Sequence, residues 1–254
     1  MASRGGAHRA RNRRSGQLHP AVQDVSGGRE GPDSHDEPGG RASHLKTLTS
    51  ELEMARALDI LALAGEILKE GFRCTQCGRC CRGEELSVLA FPGEVRGIMA
   101  HTGQSWLEVA EPPLLGEWDR MGNFHTLEWR LQKTPEGDCQ FYHRGCKIYD
   151  HRPLLCRTYP FYLEEGRLVV SRCEGLGQEM EAHRALDLAG ELKRRYVREM
   201  EEAIDLVMRY RDFERGPPSR DGACLVHDSE GQHRLSWDRL PGMLDRLCPA
   251  SRDR

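Results

Sequence analysis

Phe72-Arg73-Cys74-Thr75-Gln76-Cys77-Gly78-Arg79-Cys80-Cys81 sets four thiols within eight residues. A hydrophobic core has no use for that density. Where no apolar secretion segment is read, it rarely marks a disulfide framework. The stretch reads as half of a metal cage. Working outward, the other half is supplied by Cys139, Cys146, Cys156 and Cys173. If eight sulfurs must converge, short strands and loops have to carry them and helices have to close around them. The expected fold is therefore α+β: a small, irregular, cysteine-rich metal-binding domain with short strands, flanked by helices.

The bulk composition agrees. Of 254 residues, 38% are hydrophobic and 30% charged, with a net charge of -3. Nothing in that balance suggests nucleic acid or an anionic membrane as a partner. The longest nearly apolar run, residues 60–64, is too short to span a bilayer. Ten cysteines in a reducing cytoplasm would stay as thiols, and their thiolates bind soft metals. The location expected is cytoplasmic.

Residues 1–43 are rich in Gly, Arg, Ser and His and nearly free of large apolar groups. They bury too little to offset ordering entropy, so a disordered tail is expected. Arg4, Arg9, Arg11, Arg13 and Arg14 precede the first acid, Asp24. That resembles a transit peptide, but no amphipathic apolar face accompanies it. Met54 offers an alternative start. Ser50-Glu51-Leu52-Glu53 has the capping-box pattern, and Leu58, Leu61 and Leu68 follow at helical spacing up to Gly71. Residues 86–90 read as a strand. A helix starts at Pro92, and a shorter one with Trp106 and Val109 is opened by Ser105. Residues 124–133 partly alternate and read as one strand. A hairpin is expected from residues 161–163 and 168–170 around Glu164-Glu165-Gly166. A long helix covers residues 178–213, with Leu192, Tyr196, Met200, Ile204 and Val207 on its core stripe. Residues 223–227 and 233–237 form a second hairpin. These elements give a tail (1–43), a cysteine-cluster domain with its leading helix (44–177), and a helical extension with a terminal hairpin (178–254).

The first block is C-x2-C-x2-C-C. A three-residue step lets thiolates wrap a centre while backbone N–H groups turn inward, and Gly78 eases that turn. Adjacent side chains diverge, so Cys80 and Cys81 are expected to serve different centres, or Cys81 to stand behind the ligands. Eight thiols suffice for two four-thiolate sites. The simplest partition gives Cys74, Cys77 and Cys80 one later cysteine and leaves Cys81 with the other three. Cys224 and Cys248 lie outside any motif and read as unliganded. His143 and His151 read as hydrogen-bonding loop histidines rather than ligands. Tyr149, Tyr159 and Phe161 would pack over the centre. Arg152 and Arg157 are assigned to cofactor binding, as cations that offset thiolate charge.

FRCTQCGRCC, CKIYDHRPLLCRTYPF and the later CEGLG segment together resemble the YkgJ-type cysteine-cluster family, a zinc- or iron-chelating domain. The resemblance spans residues 71–177. Family members often carry Cys-Pro-Gly where this chain has Cys173-Glu174-Gly175. The resemblance implies metal or iron–sulfur binding in the cytoplasm. The family also includes a flagellin lysine methylase.

Zinc sites usually pair two C-x2-C knuckles, whereas C-x2-C-x2-C is closer to cluster ligation of the 4Fe-4S type. The sequence thus favours an iron–sulfur protein with a redox role, an oxidoreductase with an unidentified redox or protein partner. Cys74, Cys77, Cys80, Cys81, Cys139, Cys146, Cys156 and Cys173 would be its ligands. The alternatives are a zinc-stabilised binding module and a protein lysine methylase. No P-loop, nucleophile elbow or H-E-x-x-H motif is present to name a reaction.

Overall fold

The long helix α6 (Ala182–Arg209) is the post on which the N-terminal half leans. Ala185, Ala189, Leu192, Met200 and Ala203 line its buried side. The chain is seen here as a computed structural model that describes residues 38–83, 87–113, 116–218 and 223–236. Residues 1–37, Leu86, Trp237 and Cys248, all named in the sequence reading, lie outside the described residues.

Helix α1 (Pro38–Ala57) starts before the expected boundary at residue 43 and carries Ser50 in its interior. Ser50 is therefore not a cap. The break comes at Asp59, whose Oδ1 accepts from the amides of Leu61 and Ala62 at 2.9 and 3.2 Å. Those bonds satisfy orphan N–H groups at the start of helix α2 (Ile60–Glu70). The stripe also differs from the one expected. Leu63, Ala64 and Ile67 face inward, while Leu61 and Leu68 are exposed. Gly71 ends α2 with φ 62°, a conformation that favours glycine.

Strand β1 (Leu89–Ala90) leads into α3 (Pro92–Thr102), α4 (Trp106–Val109) and β2 (Ala110–Glu111). Glu108 accepts from the Ser105 amide at 2.7 Å, so α4 opens as its sequence indicates. Strands β3 (Glu117–Trp118), β4 (Phe124–His125) and β5 (Trp129–Leu131) follow. The single strand expected over residues 124–133 is thus two strands in different sheets. Between them the Thr126 hydroxyl donates to the Glu128 carbonyl at 2.8 Å, a local bond that competes with the ladder. A short helix α5 (Leu154–Thr158) precedes the hairpin β6 (Phe161–Glu164) and β7 (Arg167–Val170). Its turn has φ 50° at Glu165 and 74° at Gly166. After α6, β8 (Ala223–His227) and β9 (Gln232–Ser236) form the terminal hairpin.

The sheets run β1-β5-β2, β3-β4-β8-β9, and β6-β7. All pairings are antiparallel except β4 with β8, where Phe124 opposes Val226 and His125 opposes His227. The class is α+β. One core cluster, with Trp129, Phe124, Ile98, Val95 and Val226, supports the sheets, and Cys139, Cys146 and Cys156 pack against it. A second joins α2, α6 and the β6-β7 hairpin, and a third joins α1 to α6.

Candidate metal centre

Backbone bonds bring the two cysteine blocks together. The Cys139 amide donates to the Cys81 carbonyl at 2.7 Å, and the Arg73 amide donates to the Gly175 carbonyl at 2.9 Å. Phe72 and Leu176 form an isolated bridge. The first contact fixes Cys80 and Cys81 beside the Cys139 loop, and the second fixes Cys74 beside Cys173. Gly175 permits this approach, because a Cβ there would collide with the Arg73 carbonyl. Glu174 pairs with Arg79 at 2.8 Å. It ties the Cys173 loop to the 3-10 turn that carries Cys80 and Cys81.

Gly78 opens that turn with φ 73°, and a Cβ would run into the ring of Tyr142. The turn curls enough to set the sulfurs of Cys80 and Cys81 3.8 Å apart. The divergence expected of adjacent side chains therefore does not occur.

Electrostatic reach shows how the sulfurs are arranged. Burial pushes the Cys156 thiol well above its ordinary range, and Cys139, Cys80 and Cys146 push it further. Burial likewise raises Cys139, helped by Cys146 and Cys80, and raises Cys146, helped by Cys80. Burial raises Cys173 too, but its neighbours are Cys77, Cys74 and Cys80. Cys80 is raised by its bond with Cys81, then by burial. Two groups result. Cys139, Cys146 and Cys156 surround Cys80 on one side, with Cys81 against it. Cys74, Cys77 and Cys173 lie on the other. Cys80 is within reach of both. Cys173 is thus the later cysteine within reach of Cys74 and Cys77, and Cys80 is within reach of the remaining three.

Three of the later sulfurs share a local device. Each has the backbone N–H two residues on directed at it: Phe141 at Cys139, Ile148 at Cys146, and Gly175 at Cys173, the last at 3.5 Å. Such bonds favour the thiolate and tune a bound centre. Arg152 adds positive charge near Cys80, Cys146 and Cys156. Its guanidinium lies 3.5 Å over the Tyr149 ring, and its Nε donates to the Tyr149 carbonyl at 2.8 Å. Arg157 points elsewhere, to Glu191 of α6 at 2.6 Å. Tyr159 is close to Cys173, Cys80 and Cys77; burial first, then these sulfurs, push its phenol up to about 12. Phe161 packs edge-on against Phe72 at 5.7 Å. His151 stacks on His101 at 4.0 Å.

Sequence reading missed Glu94. One of its oxygens accepts from the Phe91 amide at 2.9 Å and the other from the Leu154 amide at 2.7 Å. It therefore caps α3 and α5 together and seats Cys156. The Glu three residues into α3 signals the first bond; nothing local signals the second. Burial raises its pKa, against the pull of both amides.

Nine cysteines are described and all are free thiols. Cys224 is buried in the core, and its sulfur donates to the Leu225 carbonyl at 3.4 Å. Among the described residues, no three cysteine sulfurs lie within 4.8 Å of one another. A single tetrahedral zinc with Zn–S of about 2.3 Å would draw its sulfurs to about 3.8 Å. The donor set suits a soft metal centre.

A family model, CxxCxxCC, whose description reads "Putative zinc- or iron-chelating domain", matches residues 73–185. That stretch holds all eight clustered cysteines, and the model is that of the family the motifs resemble. No curated protein and no solved structure matches the chain.

Proposed function

We propose, from the match of residues 73–185 to a zinc- or iron-chelating domain and from the arrangement of its thiols, that this is a cytoplasmic iron–sulfur protein with a redox role. The observation that carries the reading is the two-sided sulfur set around Cys80, which offers more thiols than one tetrahedral ion takes up. A cluster interposes several atoms between its ligands. Cys74, Cys77 and Cys173 would hold one side; Cys139, Cys146 and Cys156 the other; Cys80 and Cys81 stand between. A bound cluster would supply electron transfer. The chain's own part is to offset thiolate charge through Arg152, to direct the amides of Phe141, Ile148 and Gly175 at sulfur, and to limit water access with Tyr159. No helix among the described residues is long and apolar enough to cross a membrane.

One observation favours a zinc-stabilised module instead. The 3.8 Å separation of Cys80 and Cys81 equals the edge expected of a tetrahedral zinc–thiolate site. There the metal would contribute folding energy alone. Purification without oxygen, followed by iron, zinc and acid-labile sulfide analysis, separates the two. The iron–sulfur reading expects brown protein with comparable iron and sulfide. Colourless protein with stoichiometric zinc and no sulfide overturns it. Calorimetry with S-adenosylmethionine decides the methylase alternative: heat of binding supports it and its absence removes it.

A further inference from the structure

Away from the cysteines, Asp119, His125 and His227 bring three potential ligand atoms within 4.8 Å of one another. The parallel pairing of β4 with β8 makes this possible. It opposes His125 to His227 in register, so both rings project from one face of the sheet. The rings stack with centroids 4.7 Å apart and planes 12° apart. Asp119 follows β3, and its Oδ2 lies 2.9 Å from His125 Nε2.

The carboxylate is firmly held. Its Oδ1 accepts from the amides of Met121 and Asn123, both at 2.9 Å, and its Oδ2 accepts from Asn123 Nδ2 at 3.1 Å. Such outer bonds orient a metal-binding carboxylate. His227 is 8% exposed, and neither of its ring nitrogens has a hydrogen-bond partner among the described residues. A buried imidazole with both nitrogens unpaired is unusual and calls for an unseen water or ion. Tyr210 closes edge-on over both rings, and Phe213 over His125.

We propose that Asp119, His125 and His227 form a second, nitrogen- and oxygen-ligated site for a divalent first-row transition ion, separate from the thiol centre. Two imidazoles and one carboxylate are the donor set of zinc and of non-haem iron(II) sites. Metal–ligand bonds of about 2.0–2.1 Å place tetrahedral ligand atoms about 3.4 Å apart, which rotation of the side chains can supply. On binding, the metal replaces the proton shared by His125 and Asp119, and that proton leaves to solvent. The site joins β4, inside the family-matched stretch, to β8, outside it. The ion would thus staple the terminal hairpin to the cysteine domain.

The full chain tests this, with cobalt(II) as the probe. Thiolate-bound cobalt shows sulfur charge-transfer absorption; cobalt at this site does not, so the two centres are counted apart whatever the thiols hold. His227→Gln and Asp119→Asn are expected to lose about one equivalent of non-thiolate cobalt per chain, with thiolate-bound cobalt unchanged. Equal cobalt and equal spectra in wild type and variants overturn the proposal. Should a variant fail to fold, histidine nitrogen NMR of the wild type titrated with zinc gives the answer. Metal-shifted ring nitrogens at His125 and His227 support the site, and unshifted ones at saturation overturn it.

Discussion

At the scale of single residues, the sulfurs differ in what surrounds them. Cys156 sits at the middle of its group, with Cys139, Cys80 and Cys146 all within electrostatic reach. Cys224 is equally a thiol but lies in the core, where its sulfur donates to the Leu225 carbonyl. On the proposed ligand set, Cys156→Ser is therefore expected to lower bound metal per chain by about half. Cys224→Ser should leave the metal content at the wild-type level. Elemental analysis of both variants, purified alike, checks the contrast. Equal losses in the two would mean that the thiols act only through packing.

Among elements, the 3-10 turn at Arg79–Cys81 and helix α5 do the positioning. The turn depends on Gly78, whose φ of 73° and whose contact with Tyr142 leave no room for a side chain. Gly78→Ala is expected to destabilise the fold by roughly 1–3 kcal/mol and to reduce metal content. Denaturant unfolding with parallel metal analysis reads both effects. Helix α5 depends on Glu94, which accepts from its first amide while also capping α3. Removing that double cap in Glu94→Ala should cost about 1–3 kcal/mol, measured in the same way. The hairpins β6-β7 and β8-β9 form by local rules, and their registers follow from turns at Glu165-Gly166 and around residues 228–231.

For the molecule as a whole, stability should depend on pH through the acids around Arg195. Burial first, and then Glu199, push Glu128 up to about 8, against the pull of Arg195. A carboxyl with a raised folded-state pKa gives stability that is fully present below its unfolded value, about 4.3. That stability is lost as pH climbs to about 8. Glu128→Gln removes the titration. The variant should gain on wild type as pH rises from about 5 to about 8.5, by up to about 4 kcal/mol. Thermal melts across that range check it; parallel curves would exclude Glu128 as the cause. Metal removal should act on only part of the molecule. The α2-α6 and α1-α6 clusters contain no cysteine, whereas Cys139, Cys146 and Cys156 pack on the sheet core. Chelation is expected to speed hydrogen exchange in residues 139–158 and to leave α6 protected.

The sequence by itself determined what depends on neighbours along the chain. The crowding of Cys74 to Cys81 announced a metal-binding domain, the Glu-Gly turns announced both hairpins, and Ser105 announced the start of α4. It misplaced the first helix boundary because Ser50-Glu51-Leu52-Glu53 has a capping pattern, whereas α1 runs through Ser50 and packs Leu48 and Leu52 against α6. Tertiary structure alone decided that Cys173 joins Cys74 and Cys77, that Cys80 faces both groups, and that Arg157 turns to α6. It also decided that His125 meets His227, 102 residues later in the chain. A parallel strand pairing leaves no local spacing to read, because its register is set by the buried partners Phe124 and Val226 rather than by any turn between the strands.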